Sequence, residues 1–454
     1  MAGINHVNGA GKTEGHHKTQ QPLKIIIVGA GIAGLALAGL VGRSGHEVIV
    51  LEAAPKIAEV GAGITCAPNL SRLLSRWGLD SRLKKHVDSL THVNLRRWEG
   101  GQFLGAAPLM PQAQVRHGAP QYVIHRAELH KALMEEAENV AEIRVNSMVV
   151  SVDFDKPSVT LLDGTIHEAD LIVGADGMKS LCRKLIYEKL GLVDKATPTG
   201  DAAFRACIPL ENVTDPELRA FVTEPVATRW MGEGRHIQAY PIRQGNLYNM
   251  VLCHPDPQIT EESWTTKASK QSILDQFGSW DPHYLQKLID LIPDDNVMVW
   301  HLYQHDPLPT WVMGKVVLLG DACHPMLPYV AQGAAQAVED VAVLHLALDR
   351  ISTKDDLQVL LKTYELARRP RAEHIMSVAG NNRTVLHLPD GPEQQERDTK
   401  FKAVTEGSEN PDLLGDVKTQ RFLWDHDPEK AFLDVAEDLI QQARKHYTDH
   451  GLYH

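Results

Sequence analysis

The chain has 454 residues, 43% apolar and 23% charged, with a formal net charge of −12. That length predicts two domains, the composition is that of a soluble globular protein, and the acidic balance argues against nucleic acid, whose phosphates need a positive field. Five scattered cysteines with no C-x-x-C pair argue against a disulfide framework or a zinc site and fit reduced thiols in the cytoplasm.

Residues 1–21 are polar with no apolar core, so they read as a disordered leader and not as a signal peptide. From Ile25 to Gly42 come 18 uncharged residues, long enough to imitate a membrane span. Five of them are glycine, and the run divides into a strand, IIIV, and a small-residue helix, which cannot cross a bilayer as one helix. The whole unit is KIIIV, GAGIAG, LALAGLVGRSG, HEVIVLE: strand, glycine turn, helix, second strand. In Gly29-x-Gly31-x-x-Gly34 the first glycine permits the tight turn and the second lets the backbone approach a pyrophosphate. The third lets helix and strand pack closely. Glu52 closes the second strand 23 residues after Gly29, where a carboxylate accepts hydrogen bonds from ribose hydroxyls. An acid there favours an unphosphorylated ribose, so FAD or NAD over NADP, and the motif alone does not choose between them.

Further along, ADLIVGADG again ends a buried strand in glycines. A third such strand, KVVLLGDA, leads into AAQAVEDVAVLHLAL, whose apolar residues recur at helical spacing. Between about 190 and 305 short alternating runs (DAAFRACI, RHIQAYPI, NLYNMVL) predict the strands of a separate sheet. The tail EKAFLDVAEDLIQQARKHY predicts an amphipathic helix packed on the outside. The expected fold is α/β. A Rossmann-like dinucleotide-binding domain (22–78, 120–188 and 306–375) is interleaved with a mixed β-sheet domain (79–119 and 189–305), and a C-terminal helical extension covers 376–454.

Four stretches, taken with the glycine turn, carry a family resemblance: EVGAGITCAPN (59–69), HRAELH (125–130), GADGMKSLCR (174–183) and GDACHPMLPYVAQGAAQAVED (320–340). The chain resembles the single-component flavin monooxygenases of the para-hydroxybenzoate hydroxylase fold, most closely the salicylate-hydroxylase-like branch common in fungal metabolism. The resemblance implies that the interleaved domain binds FAD and that the intervening sheet holds a small aromatic substrate. Gly61, Ala62 and Gly63 would form a side-chain-poor loop beside the flavin, and Arg126 would pair with the pyrophosphate or ribityl region. Asp321 would hydrogen-bond the ribityl hydroxyls, which explains a buried strand that ends on an acid. Gly333 and Ala334 would offer backbone N–H groups to the N1–O2 edge of the flavin at a helix N-terminus. Asp176, with Gly177 and Arg183, matches the family's second fingerprint, tied to FAD ribose and pyridine-nucleotide interactions. His324 is expected to be structural, His125 and His130 are read as non-ligands, and no metal is expected. Cys323 stands where Ala or Ser is frequent, and Ala335-Gln336 replaces a frequent Asn.

The resemblance further implies that NADPH or NADH reduces FAD, that dioxygen adds at flavin C4a, and that the hydroperoxide delivers an electrophilic oxygen to an electron-rich ring. Such an electrophile attacks a phenolate faster than a phenol, so a cation should face the ring. Arg205 and Tyr240 are the candidate catalytic pair, with Arg235 and His236 as weaker rivals; a surface arginine and a core tyrosine are the bland alternatives. Three other functions stay in view: epoxidation of an indole or alkene, a non-catalytic flavin-binding protein, and a two-dinucleotide disulfide reductase. The last lacks its redox cysteine pair and its second glycine motif.

Overall fold

The computed structural model describes residues 19–56, 62–256, 266–294, 297–404 and 409–450. Most of the expected leader, and Gly61, therefore lie outside the described residues.

The apolar run at 25–42 divides as expected, into the strand Lys24–Val28 and the helix Ile32–Arg43. No described helix is long and apolar enough to cross a membrane. Lys24–Val28 lies inside a six-stranded sheet between Leu171–Gly174 and Glu47–Leu51, parallel to both. Val316–Leu318 extends the sheet on one side and Glu142–Arg144 on the other, again parallel, and a short antiparallel strand, Val312–Met313, forms one edge. Continuous β-branched runs such as IIIV suit this position because the strand is buried on both faces, in a core shared with helix Ile32–Arg43 and with a three-stranded antiparallel sheet that contributes Val149, Val152, Val159 and Leu161. The registers Val28↔Leu51, Val28↔Gly174 and Gly174↔Leu318 align the carboxyl ends of four strands. The Gly29 turn, Glu52, Ala175 and the 320–322 turn therefore emerge together, where open α/β sheets bind ligands.

The run 190–305 supplies most of an eight-stranded sheet built around the 14-residue strand Ala196–Pro209. In order its strands are Thr266–Lys267, Met298–His305, Ala196–Pro209, Leu247–Pro255, Arg235–Ile242, Ala227–Gly232, His92–Arg97 and Phe103–Pro108. One face packs on helices Pro216–Thr223, Lys270–Phe277 and Leu285–Asp290 through Trp230, Phe277 and Leu288. The other face looks toward the six-stranded sheet.

The expected domain limits shift at three places. Leu79 and Leu83 are buried in the core of the six-stranded half, and Val87–Asp88 pairs with Tyr122–His125 in a small sheet that also contains Gly63–Cys66. Residues 79–88 thus side with the first half, and the second half takes over at His92. The expected limit at 375/376 falls inside the continuous helix Leu357–Leu386. The helix Pro428–Asp449 buries Phe432, Ala436, Ile440 and Ala443 in that same first core, so this helix packs on the six-stranded half.

Candidate active site

The glycine turn is held from several sides. Gly29 has φ +103°, its N–H donates to the Leu51 carbonyl at 2.8 Å, and a Cβ there would meet the Ala175 carbonyl oxygen at 2.4 Å. A Cβ on Gly34 would lie 2.1 Å from the Gly29 carbonyl oxygen, so helix and turn can pack only with glycine in that place. A Cβ on Gly31 would meet nothing within 4 Å, which leaves the turn open on the side of a ligand. Glu52 braces the turn: its two carboxylate oxygens accept the N–H groups of Ala30 and Ala54 at 2.9 and 2.8 Å. Each oxygen keeps a second lone pair for a ribose hydroxyl. His130 adds a support not anticipated from the sequence, its Nε2 lying 2.7 Å from the Ala30 carbonyl oxygen. Its place one helical turn after Arg126, on the face toward the core, was the available signal.

A cavity of about 630 Å³ separates the two sheets. Gly31, Arg126, Gly177, Asp321, Gly333 and Ala334 line one side, and Arg205, Gln238, Tyr240 and Trp300 line the other. Gly29, Gly34 and Glu52 stand behind this wall. Arg126 opens the helix Arg126–Ala137, and its N–H donates to the Ala62 carbonyl at 2.9 Å. Asp321 follows Gly320, whose φ of +63° turns the chain out of the strand. Its carboxylate makes no hydrogen bond among the described residues; burial pushes its pKa up, against the pull of His324, Arg126 and Arg183. At the start of the helix Gly333–Leu348 the first-turn N–H groups have no partner within the helix. Just before them, the Gln332 side-chain oxygen accepts from Asn69 and Gln336 at 2.9 and 3.1 Å, and its amide nitrogen stays buried without a partner.

Two expectations are redirected. The Asp176 carboxylate accepts the Ser180 hydroxyl at 2.5 Å and the Cys182 N–H at 3.0 Å, so it caps the helix Leu181–Lys189; its neighbour Gly177 faces the cavity instead. Arg183 is buried against Asp194 at 2.8 Å and the carbonyls of Met178, Asp321 and Ala322, where it ties two strand-end turns together. At Gly63 a Cβ would meet Tyr240 at 2.7 Å and Asn249 at 3.0 Å, so the eight-stranded sheet is what excludes a side chain there. The Gly63 N–H donates to Asn249 Oδ1 at 2.8 Å, and Ala62 is buried behind it.

On the sheet face the register Arg205↔Val251↔Gln238↔Arg229 places four cavity-lining side chains in one row. The Arg205 guanidinium carbon lies 3.5 Å from the centre of the Trp300 ring, and its Nε has no hydrogen-bond partner. Burial lowers the Arg205 pKa to about 10 although nearby Tyr240 works the other way; at neutral pH the group is a cation with no carboxylate paired to it among the described residues. Burial pushes Tyr240 up to about 12 against the opposing effects of Arg205 and of a hydrogen bond with Thr65. Of the two rivals, Arg235 turns away to Gln276, whereas His236 lines the cavity with its Nδ1 2.8 Å from His387 Nε2.

His324 is structural. Its Nε2 lies 2.5 Å from Asp340 Oδ2, which also accepts the Gly320 N–H at 3.1 Å, while Asp340 Oδ1 accepts from Arg368 at 2.8 Å. Cys323, His324 and Asp340 bring possible metal-ligand atoms within 4.8 Å of one another, but these bonds already occupy the Asp340 carboxylate.

The family described as "FAD binding domain" matches residues 22–379. The FAD-dependent monooxygenase ntnJ of a Nectria species is 36% identical over 429 residues, 94% of this chain and 99% of that protein. A 6-hydroxynicotinate 3-monooxygenase of Bordetella bronchiseptica is 32% identical over 374 residues, 82% of this chain and 94% of the relative. A solved salicylate hydroxylase substrate complex shares the fold, with a TM-score of 0.73 at 24% identity over 90% of this chain and 97% of that one.

Proposed function

This chain belongs to the FAD binding domain family and is an FAD-dependent monooxygenase, and on that footing we propose that it hydroxylates an electron-rich, phenolic aromatic ring. One oxygen atom of dioxygen enters the ring and the other leaves as water, with two electrons from NADPH or NADH and a proton from solvent closing the balance. The relative that acts on 6-hydroxynicotinate supports a hydroxylated aromatic ring as the substrate class.

The residues present fit FAD. Gly31 and Gly177 leave open space where any other residue would project a side chain, and the orphaned Gln332 amide stands beside the free N–H groups at Gly333. Bound FAD supplies the activation of dioxygen. Arg126 would pair with its phosphates, Asp321 would accept from its ribityl hydroxyls, and the Gly333 and Ala334 N–H groups would favour negative charge on its ring.

The observation that carries the substrate assignment is Arg205: a half-buried cation on the cavity wall, its Nε buried without a hydrogen-bond partner and with no ion-paired acid among the described residues. A phenolate oxygen beside it would be stabilised in a water-poor site, and Tyr240 could donate to the same oxygen. Epoxidation of an alkene would leave that cation without a use. The largely apolar lining of the cavity, once FAD and substrate fill it, would limit the access of bulk water to the reacting oxygen.

The test is the visible spectrum of purified protein, followed by NAD(P)H consumption with a panel of phenols and a panel of alkenes. A yellow protein whose NAD(P)H oxidation is stimulated by phenols, with hydroxylated product matching NAD(P)H used, is expected. Stimulation by alkenes alone, or unchanged kcat/KM and coupling in Arg205→Ala, would overturn the assignment.

A further inference from the structure

The row Arg205–Val251–Gln238–Arg229 has two polar ends. Antiparallel neighbours lie about 4.8 Å apart, so Gln238 stands roughly 10 Å across the sheet from Arg205, with the apolar Val251 between them. At that far end Arg229 is buried and ion-paired with Asp412, which arrives from the C-terminal segment. Asp412 is fixed in turn: its Oδ1 accepts from Asn382 Nδ2 at 3.2 Å and from the Leu414 N–H at 3.1 Å, and its own N–H donates to Asn410 Oδ1 at 2.9 Å.

Arg229 Nε donates to Gln238 Oε1 at 2.7 Å. A guanidinium can only donate, so this bond sets the direction of the Gln238 amide: the oxygen must face Arg229. The amide nitrogen is thereby the group left over, and it has no hydrogen-bond partner among the described residues on a side chain that lines the cavity. A donor held in a fixed direction within a mostly apolar cavity calls for an acceptor from the ligand. An ionised group is not required, because the charge of Arg229 is already balanced by Asp412.

We propose that Gln238, oriented by Arg229 and Asp412, is a second substrate-recognition pole that reads a neutral hydrogen-bond acceptor, a carbonyl oxygen, on the side of the aromatic ring remote from Arg205. The proposal rests on the assignment of the phenolic oxygen to Arg205 and adds the other half of the substrate: a ring carrying an acidic hydroxyl at one end and a carbonyl substituent at the other. Gln238 contributes binding and orientation, and Asp412 acts through Arg229 as a positioning residue.

The test uses the FAD-loaded enzyme and two probes of nearly equal size and phenol acidity, 4-hydroxyphenylacetone and 4-isobutylphenol, with affinity read from the perturbation of the flavin absorption spectrum. The wild-type enzyme should bind the ketone about tenfold more tightly. Gln238→Leu should reduce that preference to twofold or less with unchanged FAD content, and Asp412→Asn should reduce it to an intermediate value. Arg205→Met should weaken both probes while leaving their ratio in place, so a failure of the first pole is distinguishable from a failure of the second. Equal affinities in the wild type, a preference that survives Gln238→Leu, or FAD-loaded protein that responds to neither probe would overturn the proposal.

Discussion

The guanidinium carbon of Arg205 lies over the Trp300 ring, 3.5 Å from its centre, on the cavity wall, and no carboxylate of the described residues forms an ion pair with it. A cation–π contact compensates only part of the cost of desolvating a charge. Replacing Arg205 by methionine removes that half-buried charge and keeps most of the volume. The FAD-loaded Arg205→Met protein should therefore hold its Tm or gain, by about 1 kcal/mol of stability. Its kcat/KM for a phenol should fall about 100-fold or more. A large loss of Tm with unchanged kcat/KM would make Arg205 a structural arginine.

Gly31 and Gly34 should separate folding from cofactor binding. Gly34→Ala forces a Cβ to within 2.1 Å of the Gly29 carbonyl oxygen, a backbone atom that cannot step aside cheaply. Lower Tm should appear even in the FAD-free protein. Gly31→Ala meets no protein atom within 4 Å, so FAD-free stability should stay unchanged while FAD affinity drops at least tenfold, from steric conflict with a ligand lying against the turn. Calorimetry of the FAD-free protein and fluorescence titration with FAD would read the two effects separately.

The parts of this site that were legible in the sequence are those set by a few adjacent residues. IIIV followed by Gly29, and VVLLG followed by Asp321, announce strand ends because each pattern is local, and register then brings those ends together. What stayed hidden depends on pairing between distant segments. Trp300 beneath Arg205 follows from the register of Met298–His305 against Ala196–Pro209, which alternation alone does not fix. Arg229 and Asp412 are 183 residues apart, and nothing near either one signals the other. Asp176 was legible as a strand-end acid, but its use as a helix cap depends on where Ser180 and Cys182 fall in space.

The helix Gly333–Leu348 carries two adjacent buried acids that depend on one arginine. Arg368 Nη1 lies 2.7 Å from Glu339 and its Nε 2.8 Å from Asp340, and Arg371 adds a second contact to Glu339 at 2.8 Å. Burial alone would raise the Glu339 pKa, but Arg371 and Arg368 outweigh it and hold the carboxyl well below its ordinary 4.5. The stability this gives is fully present above about pH 4.5 and is lost as pH falls below it. Arg368→Met removes the cation that the two acids share, leaving Glu339 to Arg371 and Asp340 to His324, and should cost about 3 kcal/mol. Denaturant unfolding at pH 7 would measure it, and a loss under 1 kcal/mol would show that Arg371 suffices for Glu339 and His324 for Asp340.

The pair His236–His387 should give the enzyme a second, milder acid sensitivity. Burial lowers His387 to about 4 from an ordinary 6.5, with Asp201 opposing and Arg383 adding to the shift. Burial also lowers His236, and His387 and Arg229 reinforce it. Both rings are neutral in the fold at pH 7, with one donating to the other across 2.8 Å. In the unfolded chain they bind protons below about 6.5, so stability is complete above that pH and declines as pH falls toward 4. The two titrate as a coupled pair. For His387 alone the gap of about 2.5 pH units sets a ceiling of roughly 3 kcal/mol. His387→Gln, which keeps a hydrogen-bonding side chain but cannot titrate, should make the Tm profile between pH 6.5 and 4 shallower, with His236 and His426 keeping their share, while leaving the steeper fall below pH 4.5 that belongs to Glu339. A profile in His387→Gln that matches the wild type throughout would remove His387 from the acid transition and leave it to the carboxylates and the other buried histidines, His236 and His426.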